Sequence, residues 1–358
     1  MNVIHYIGFD VHKKTISYCI KTADGRMVEE GKLAATRPAL HEWAKAQRVP
    51  WHGAMEATLF SAWIYDTLEP YAERLEMGHP AKMKAITAGK KKSDAIDART
   101  IADLVRCDLL PGCYVFPPDL RDLRRLMRYR QMMVQQSVRM HNKTAGLLME
   151  SGVCFHKTKL HGKKYFADLI KSLEEVPESV KDLLRMSRGT KDMFEDVQKQ
   201  LLRRLLADAA LKQRVERLSS IDGVGAITAL TWALEVGDPH RFVSIADAVS
   251  YCGLTAAFRS SAGKQQRGPL SKQRNSWLQT TLIEAAKLAP RWNPQLAQLH
   301  AQQLGRGHAN RATLQVARKL VAYLLAVDKS GQPFQVRTPP PKTIPTRKKA
   351  RRHLASAA

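Results

Sequence analysis

The sequence predicts an α/β N-terminal domain over residues 1–115, a helical middle over 116–218, a mainly α-helical unit over 219–330 and a basic tail over 331–358. Three observations carry this division. The first segment opens with three strand-like runs and then alternates helix with strand. From Leu120 onward, apolar residues recur at helical spacing. After Ser219 a glycine-rich turn leads into further apolar helical runs.

In the first segment, Val3 to Phe9 is an apolar run that stops at Asp10. Thr15 to Ile20 and Met27 to Glu30 flank Thr22-Ala23-Asp24-Gly25, whose Asp-Gly pair is a hairpin turn signal. A polar helix is expected from about Arg37 to Arg48, then a short strand into Gly53-Ala54-Met55-Glu56, then a helix from Leu59 to Leu75. A lysine-rich stretch follows Gly78-His79-Pro80, and a third helix starts near Ser93. A three-strand meander followed by alternating helix and strand is the order of an RNase H-like α/β domain, although propensity alone does not separate that fold from other mixed sheets.

In the middle, Leu123, Met127, Val134, Val138, Ala145 and Leu148 keep one helix face, with Pro117-Pro118-Asp119 as its start signal. Arg121, Arg124, Arg125 and Arg128 crowd its first turns and are candidate nucleic-acid contacts. Phe194, Val197 and Leu201, and later Leu211, Val215 and Leu218, have coiled-coil spacing, but the register carried between them lands on Arg204 and Asp208. An amphipathic helix on its own core is therefore favoured over a coiled-coil seam. Ile221-Asp222-Gly223-Val224-Gly225 has the look of a helix-hairpin-helix turn that bares N–H groups to phosphate, with an ordinary glycine turn the simpler reading. Helical patterns resume from Phe242 to Ala326, interrupted by a polar stretch from Ser260 to Ser276.

Composition narrows the function. Lys and Arg number 58 against 33 Asp and Glu, a net charge of +25. Such an excess of like charge asks for a polyanionic partner. At 44% hydrophobic residues the chain is not a disordered basic tail, although its last segment, with Arg347-Lys348-Lys349 and Arg351-Arg352, reads as one. No apolar run approaches the roughly eighteen residues of a membrane span. The N-terminus lacks a basic region before its apolar stretch, which argues against a secretory signal. Cys19, Cys107, Cys113, Cys154 and Cys252 are odd in number and form no C-x-x-C pair, which disfavours a disulfide framework or structural zinc. The expected setting is cytoplasmic and nucleic-acid-facing.

Four acids stand out against this background. Asp10 ends the first strand, Glu56 ends a later one, and Asp94 and Asp97 lie three apart on a helix, hence on one face. Each alone could be a strand terminator or a helix cap. Together they suit phosphodiester chemistry, in which paired Mg²⁺ ions held by carboxylate oxygens stabilise the attacking and leaving oxygens. Without metal, such a group would suffer like-charge repulsion. Lys82, Lys84, Lys90, Lys91 and Lys92 precede the Asp94 helix and are candidate phosphate contacts; Asp103, Asp108 and Glu42 are decoys.

At these residues the sequence resembles the DEDD transposases of the insertion-sequence one-ten family, the bridge-RNA-guided recombinases. The resemblance runs from about Tyr6 to Val327. It is carried by Ile7-Gly8-Phe9-Asp10-Val11-His12, Ala54-Met55-Glu56-Ala57-Thr58 and Lys92-Ser93-Asp94-Ala95-Ile96-Asp97-Ala98-Arg99 in the first half. In the second half its carriers are Ile221 to Gly225, Tyr251-Cys252-Gly253-Leu254 and Ser260-Ser261-Ala262-Gly263-Lys264. The resemblance implies a RuvC-like domain whose Asp10, Glu56, Asp94 and Asp97 bind Mg²⁺, a helical coiled-coil insertion, and a transposase domain whose serine forms a phosphoserine bond with DNA. The matching position is Ser261, with Ser260 adjacent and Ala262 where glycine is common. Lys264, Arg267, Lys272 and Arg274 would hold phosphates beside it. The resemblance also implies a structured guide RNA pairing with donor and target DNA, homodimers that join as tetramers, and a bacterial, nucleoid-associated location. Two alternatives remain open at the level of sequence: a Mg²⁺-dependent RuvC-like junction resolvase that needs only the four acids, and a nucleic-acid-binding protein without catalysis.

Overall fold

The computed structural model describes residues 3–86, 94–261 and 264–335, the side chains of residues 85, 95, 258–261 and 264–267 excepted. Two compact units result, residues 1–119 and 120–358. The second holds both the middle helices and the C-terminal helices.

Unit one is built on a five-stranded mixed sheet. Its elements are β1 (His5–Val11), β2 (Thr15–Lys21), β3 (Met27–Ala34), α1 (Arg37–Ala46), β4 (Trp51–Glu56), α2 (Ser61–Leu68), β5 (Arg74–Gly78), α3 (Pro80–Ile86) and α4 (Asp94–Arg106). The strand order is β3-β2-β1-β4-β5. The first three strands are antiparallel neighbours, while β1–β4 and β4–β5 are parallel. The expected meander and crossover order is present, and β3 runs on past Glu30 to Ala34.

Side-chain alternation divides the sheet's two faces. Ile7, Phe9 and Val11 of β1 join Ile16, Tyr18, Ile20, Trp51 and Met55 in one core, closed by Leu40 and Trp43 of α1 and by Ile64 and Leu68 of α2. Gly8 and Asp10 point to the other face. There α4 lies, its Ile101, Leu104 and Val105 packed with Ala54 and Met83. Helices α1 and α2 on one face and α4 on the other bury both sides of β1, as expected where helices cover both sides of a sheet.

One expected helix is corrected. The stretch from Leu59 to Leu75 is not a single helix: α2 stops at Leu68, a 3₁₀ turn spans Glu69–Tyr71, and Leu75 belongs to β5. Pro70 accounts for the break, because it cannot donate the next helical hydrogen bond and its ring crowds the preceding turn.

Unit two is mainly helical. It comprises α5 (Pro118–Glu150), α6 (Lys163–Lys171), α7 (Glu178–Leu206), α8 (Ala209–Ser219), α9 (Ala226–Val236), α10 (Ile245–Tyr251), β6 (Ala256–Ser261), β7 (Lys264–Leu270), α11 (Ser276–Leu288), α12 (Pro294–Leu304) and α13 (Ala309–Ser330). The interrupted heptad register between Arg204 and Asp208 is a helix break. Asp208 caps α8, its carboxylate accepting from the Leu211 amide at 2.7 Å. Leu205, Leu211, Val215 and Leu218 lie in one large core with α9, α11 and α13. The apolar stripe thus serves this unit's own packing. A separate small core joins Ala145 and Leu148 of α5 to Phe166, Ile170 and Leu184. All five cysteines are free.

A second correction falls at Ser260 to Ser276. That stretch is not only a polar interruption between helices: β6 and β7 pair as an antiparallel hairpin, with Ser261 opposite Lys264.

Candidate active site

Register places the first half of the site. On β1, Phe9 pairs with Met55 of β4 in parallel, so Asp10 and Glu56 follow side by side at the strands' C-terminal ends. Asp10 pairs across to Ser17 of β2, and Ser17 to Lys32 of β3. Lys32, Ser17, Asp10 and Glu56 therefore form one row across the sheet. Alternation sends the row to the α4 face.

Helix α4 supplies the second half. Asp94 and Asp97 occupy its first turn, where carboxylates are favoured by the positive end of the helix dipole. The helix comes close because position 8 carries no side chain: α4 backbone lies directly against β1 there. Arg99 of α4 makes two 2.7 Å hydrogen bonds to Glu30 of β3, fastening the helix to the outer strands.

Ligand atoms of Asp10, His12 and Asp94 all lie within 4.8 Å of one another. His12 Nε2 is 3.0 Å from Asp10 Oδ2 and 3.5 Å from Asp94 Oδ1, and Lys32 Nζ donates to Asp94 Oδ2 at 3.4 Å. Burial pushes the Asp10 carboxyl above the usual carboxylate range; His12 opposes this, and the charges of Asp97 and Asp94 add to the rise. Asp97 is thus close enough for its charge to be felt at Asp10. A half-buried carboxylate crowded by two others, with the His12 ring and the Lys32 ammonium drawn in among them, is a setting whose oxygens and imidazole nitrogen fit a hard divalent cation.

The sequence did not assign His12 or Lys32 to the site. The signal for His12 was present, since it stands two residues after Asp10 and so returns to the same face. Lys32 carried none, because its place depends on the register of two strand pairings. Two of the three decoys have ordinary partners: Asp103 pairs with Lys21 at 2.5 Å and Asp108 with Arg74 at 3.3 Å.

Lys90, Lys91 and Lys92 lie outside the described residues, as do the side chains of Ser261, Lys264 and Arg267. Lys272 is exposed. Arg274 is exposed and donates to the Ser271 carbonyl at 3.1 Å. Arg125, also exposed, pairs with Asp122. Arg121 sits half-buried in the first turns of α5. Arg124 and Arg128, expected at a nucleic-acid surface, instead direct their guanidinium groups at the buried Glu235. Two arginines one helical turn apart can serve one internal carboxylate as readily as a phosphate.

Comparison with known proteins accounts for both halves. Residues 7–152 match a DEDD transposase family model of the IS110 type, described as Transposase, and residues 215–301 match the Transposase IS116/IS110/IS902 family. The chain belongs to the IS110 family of transposases. Relatives agree. The transposase for insertion sequence element IS1328 of Yersinia enterocolitica is 26% identical over 68% of this chain and 73% of its own. A protein named "Probable family 20 transposase" from Pseudomonas aeruginosa is 25% identical over 61% of this chain and 67% of its own. The transposase for insertion sequence element IS1111A of Coxiella burnetii is 29% identical over 55% and 54%. As a DEDD transposase the enzyme acts on DNA and uses a divalent metal. Among the described residues of this transposase, no helix is long and apolar enough to cross a membrane.

Proposed function

We propose that this transposase cuts and rejoins DNA through a covalent serine–phosphate bond, with Mg²⁺ held by Asp10, Glu56, Asp94 and Asp97, at sites chosen by a structured guide RNA. The observation that carries the reading is the approach of Asp94, in the first turn of α4, to Asp10, which has Glu56 beside it at the adjacent parallel strand end. These carboxylates, with His12 beside Asp10 and Asp94, are the residues that would hold the ion. When bound, a divalent ion would supply Lewis-acid stabilisation of charge at the reacting phosphate.

The chain's own part is to deliver the nucleophile. Ser261, at the end of β6, forms an Oγ–P bond while a phosphate-to-sugar P–O bond breaks, and the released sugar oxygen takes up the serine's proton. The reverse attack by a second strand's hydroxyl restores Ser261 and reseals the DNA. One phosphodiester is exchanged for another, so no ATP is needed. Exposed Lys272 and Arg274, with Lys264 and Arg267 of β7, would hold the backbone phosphates nearby. The +25 net charge and the resemblance support donor and target DNA plus guide RNA as partners, a dimer joining into a tetramer, and a nucleoid location in a bacterial cytoplasm.

Purified protein given DNA, Mg²⁺ and the RNA from its element's end is expected to form an SDS-stable protein–DNA adduct. Ser261→Ala and Asp10→Asn should each abolish it, and RNase treatment should abolish recombination. Cleavage that persists in Ser261→Ala would instead establish a junction resolvase working through the acids alone. Recombination unaffected by RNase would remove the guide.

A further inference from the structure

Outside the acidic site, Glu235 lies in the last turn of α9 at 1% exposure. A carboxylate so deeply placed must be fully satisfied, and this one is. It accepts from Arg124 Nε and Nη2 at 3.0 and 2.9 Å, from Arg128 Nε and Nη2 at 2.6 and 2.9 Å, and from Asn275 Nδ2 at 2.8 Å. Burial of the charge is offset by the two guanidinium groups.

What makes the cluster more than a structural ion pair is where its third partner sits. Asn275 stands just past β7, at the root of the β6–β7 hairpin, and caps α11 by accepting from the amides of Trp277 and Leu278. Its own amide donates to the Tyr251 carbonyl at 3.0 Å, and the Tyr251 hydroxyl donates to the Glu235 carbonyl at 2.8 Å. Tyr251 ends α10, a short turn before the other leg of the hairpin, β6. Both legs are therefore fastened to one residue. Further ties hold the same level: Gln279 Nε2 donates to the Gly253 carbonyl at 2.6 Å, Arg318 Nε to the Leu254 carbonyl at 2.9 Å, and the Ser271 amide to the Thr255 carbonyl at 3.0 Å. Gly253 has a φ of 70° and the Arg274 side chain packed on it, so any larger residue there would dislodge the return leg. Arg128, besides serving Glu235, lies over the ring of Trp277 in the first turn of α11.

Strand β6 spans six residues from this root to Ser261, about 20 Å at the usual rise per residue. A small rotation at the root moves the tip by several ångströms, and ångström errors in nucleophile placement are costly. We infer that Glu235 is a positioning residue for the Ser261 hairpin, coupling the long helix α5 through Arg124 and Arg128 to the angle at which the serine is presented. The inference rests on the serine reading for its chemistry, though not for its geometry.

Glu235→Gln keeps the shape and removes the charge. It is expected to lower adduct yield per folded molecule by about tenfold or more, with DNA affinity and divalent-ion binding unchanged. In hydrogen exchange, the Ser271 and Asn275 amides should lose far more protection than the α13 amides; loss of a merely structural contact would lower both alike. Should Glu235→Gln fail to fold, Tyr251→Phe, which removes one hydroxyl, is expected to show the same local exchange with a smaller loss of adduct. Adduct yield within about twofold of the parent, or hairpin amides as protected as before, overturns the inference. Ser261→Ala run beside it separates the two readings: an adduct that survives Ser261→Ala sinks the serine, while the exchange data still decide the clamp.

Discussion

A Cβ at position 8 would fall 2.0 Å from the carbonyl oxygen of Ala98 and 2.4 Å from the amide nitrogen of Ala102, both backbone atoms of α4. Neither can swing aside as a side chain could, so Gly8→Ala must push the helix off the sheet. The expected cost is at least about 3 kcal/mol, the upper end for overpacking, read as a lowered midpoint in denaturant unfolding. The same displacement carries Asp94 and Asp97 away from Asp10, so divalent-ion affinity should fall as well. Glu235 offers a second test at this scale, in pH. Although burial alone raises its carboxyl, Arg124 and Arg128 hold it below the usual carboxylate range. A carboxyl lowered in the fold contributes stability that is present above the unfolded value near 4.5 and is lost as pH falls beneath it. Unit two, followed by tryptophan fluorescence, should therefore weaken as pH falls below about 4.5, and Glu235→Gln should flatten that dependence. Asp10 and Glu56 were legible from sequence because strand-end acids sit at a visible boundary. Glu235 was not, since a lone acid in the apolar run Ala226–Val236 gives no hint of which cations reach it.

Elements explain which parts of the fold could be read and which could not. Strand β1, with its buried alternation and terminal acid, and helix α4, with both acids in the first turn, announce themselves by local pattern. Strand β5 did not, because Trp63, Thr67 and Leu68 set a helical rhythm that continues in the letters past Pro70 even though the backbone cannot follow it. The β6–β7 hairpin was hidden for the opposite reason: Arg259, Ser260, Lys264, Gln265 and Gln266 offer no apolar alternation, so the pairing is visible only in three dimensions. The outer strand β3 likewise looked like a short polar run, yet it brings Lys32 to Asp94. This yields a prediction for the strand's role. Lys32 occupies, at 3.4 Å, charge space that a divalent ion would share. Lys32→Ala should therefore tighten Mn²⁺ binding several-fold at low salt, an advantage that fades as ionic strength screens it; isothermal titration at two salt concentrations measures this. Unchanged affinity would mean that the ammonium is spectator to the carboxylates.

At the scale of the whole molecule, the two units have separate hydrophobic cores: sheet and helices in residues 1–119, helices around α9 and α13 in residues 120–358. The carboxylate site lies wholly in the first, the hairpin and its clamp wholly in the second. Cores that share no residues melt as cooperative units of their own unless a large apolar interface joins them. Calorimetry should accordingly resolve two transitions. Tryptophans report on them evenly, with Trp43, Trp51 and Trp63 in the first unit and Trp232, Trp277 and Trp292 in the second. A ligand that binds only the native form of one unit stabilises that unit alone, by about 2.7 kcal/mol at a hundredfold excess over Kd. Saturating Mn²⁺ is thus expected to raise the first unit's transition by several degrees and leave the other in place. Asp10→Asn should cancel the shift without moving the second transition, whereas Glu235→Gln should lower only the second. If Mn²⁺ moved both transitions together, the ion would be bound by residues from both units, and the acidic row on the sheet could not by itself be the metal centre.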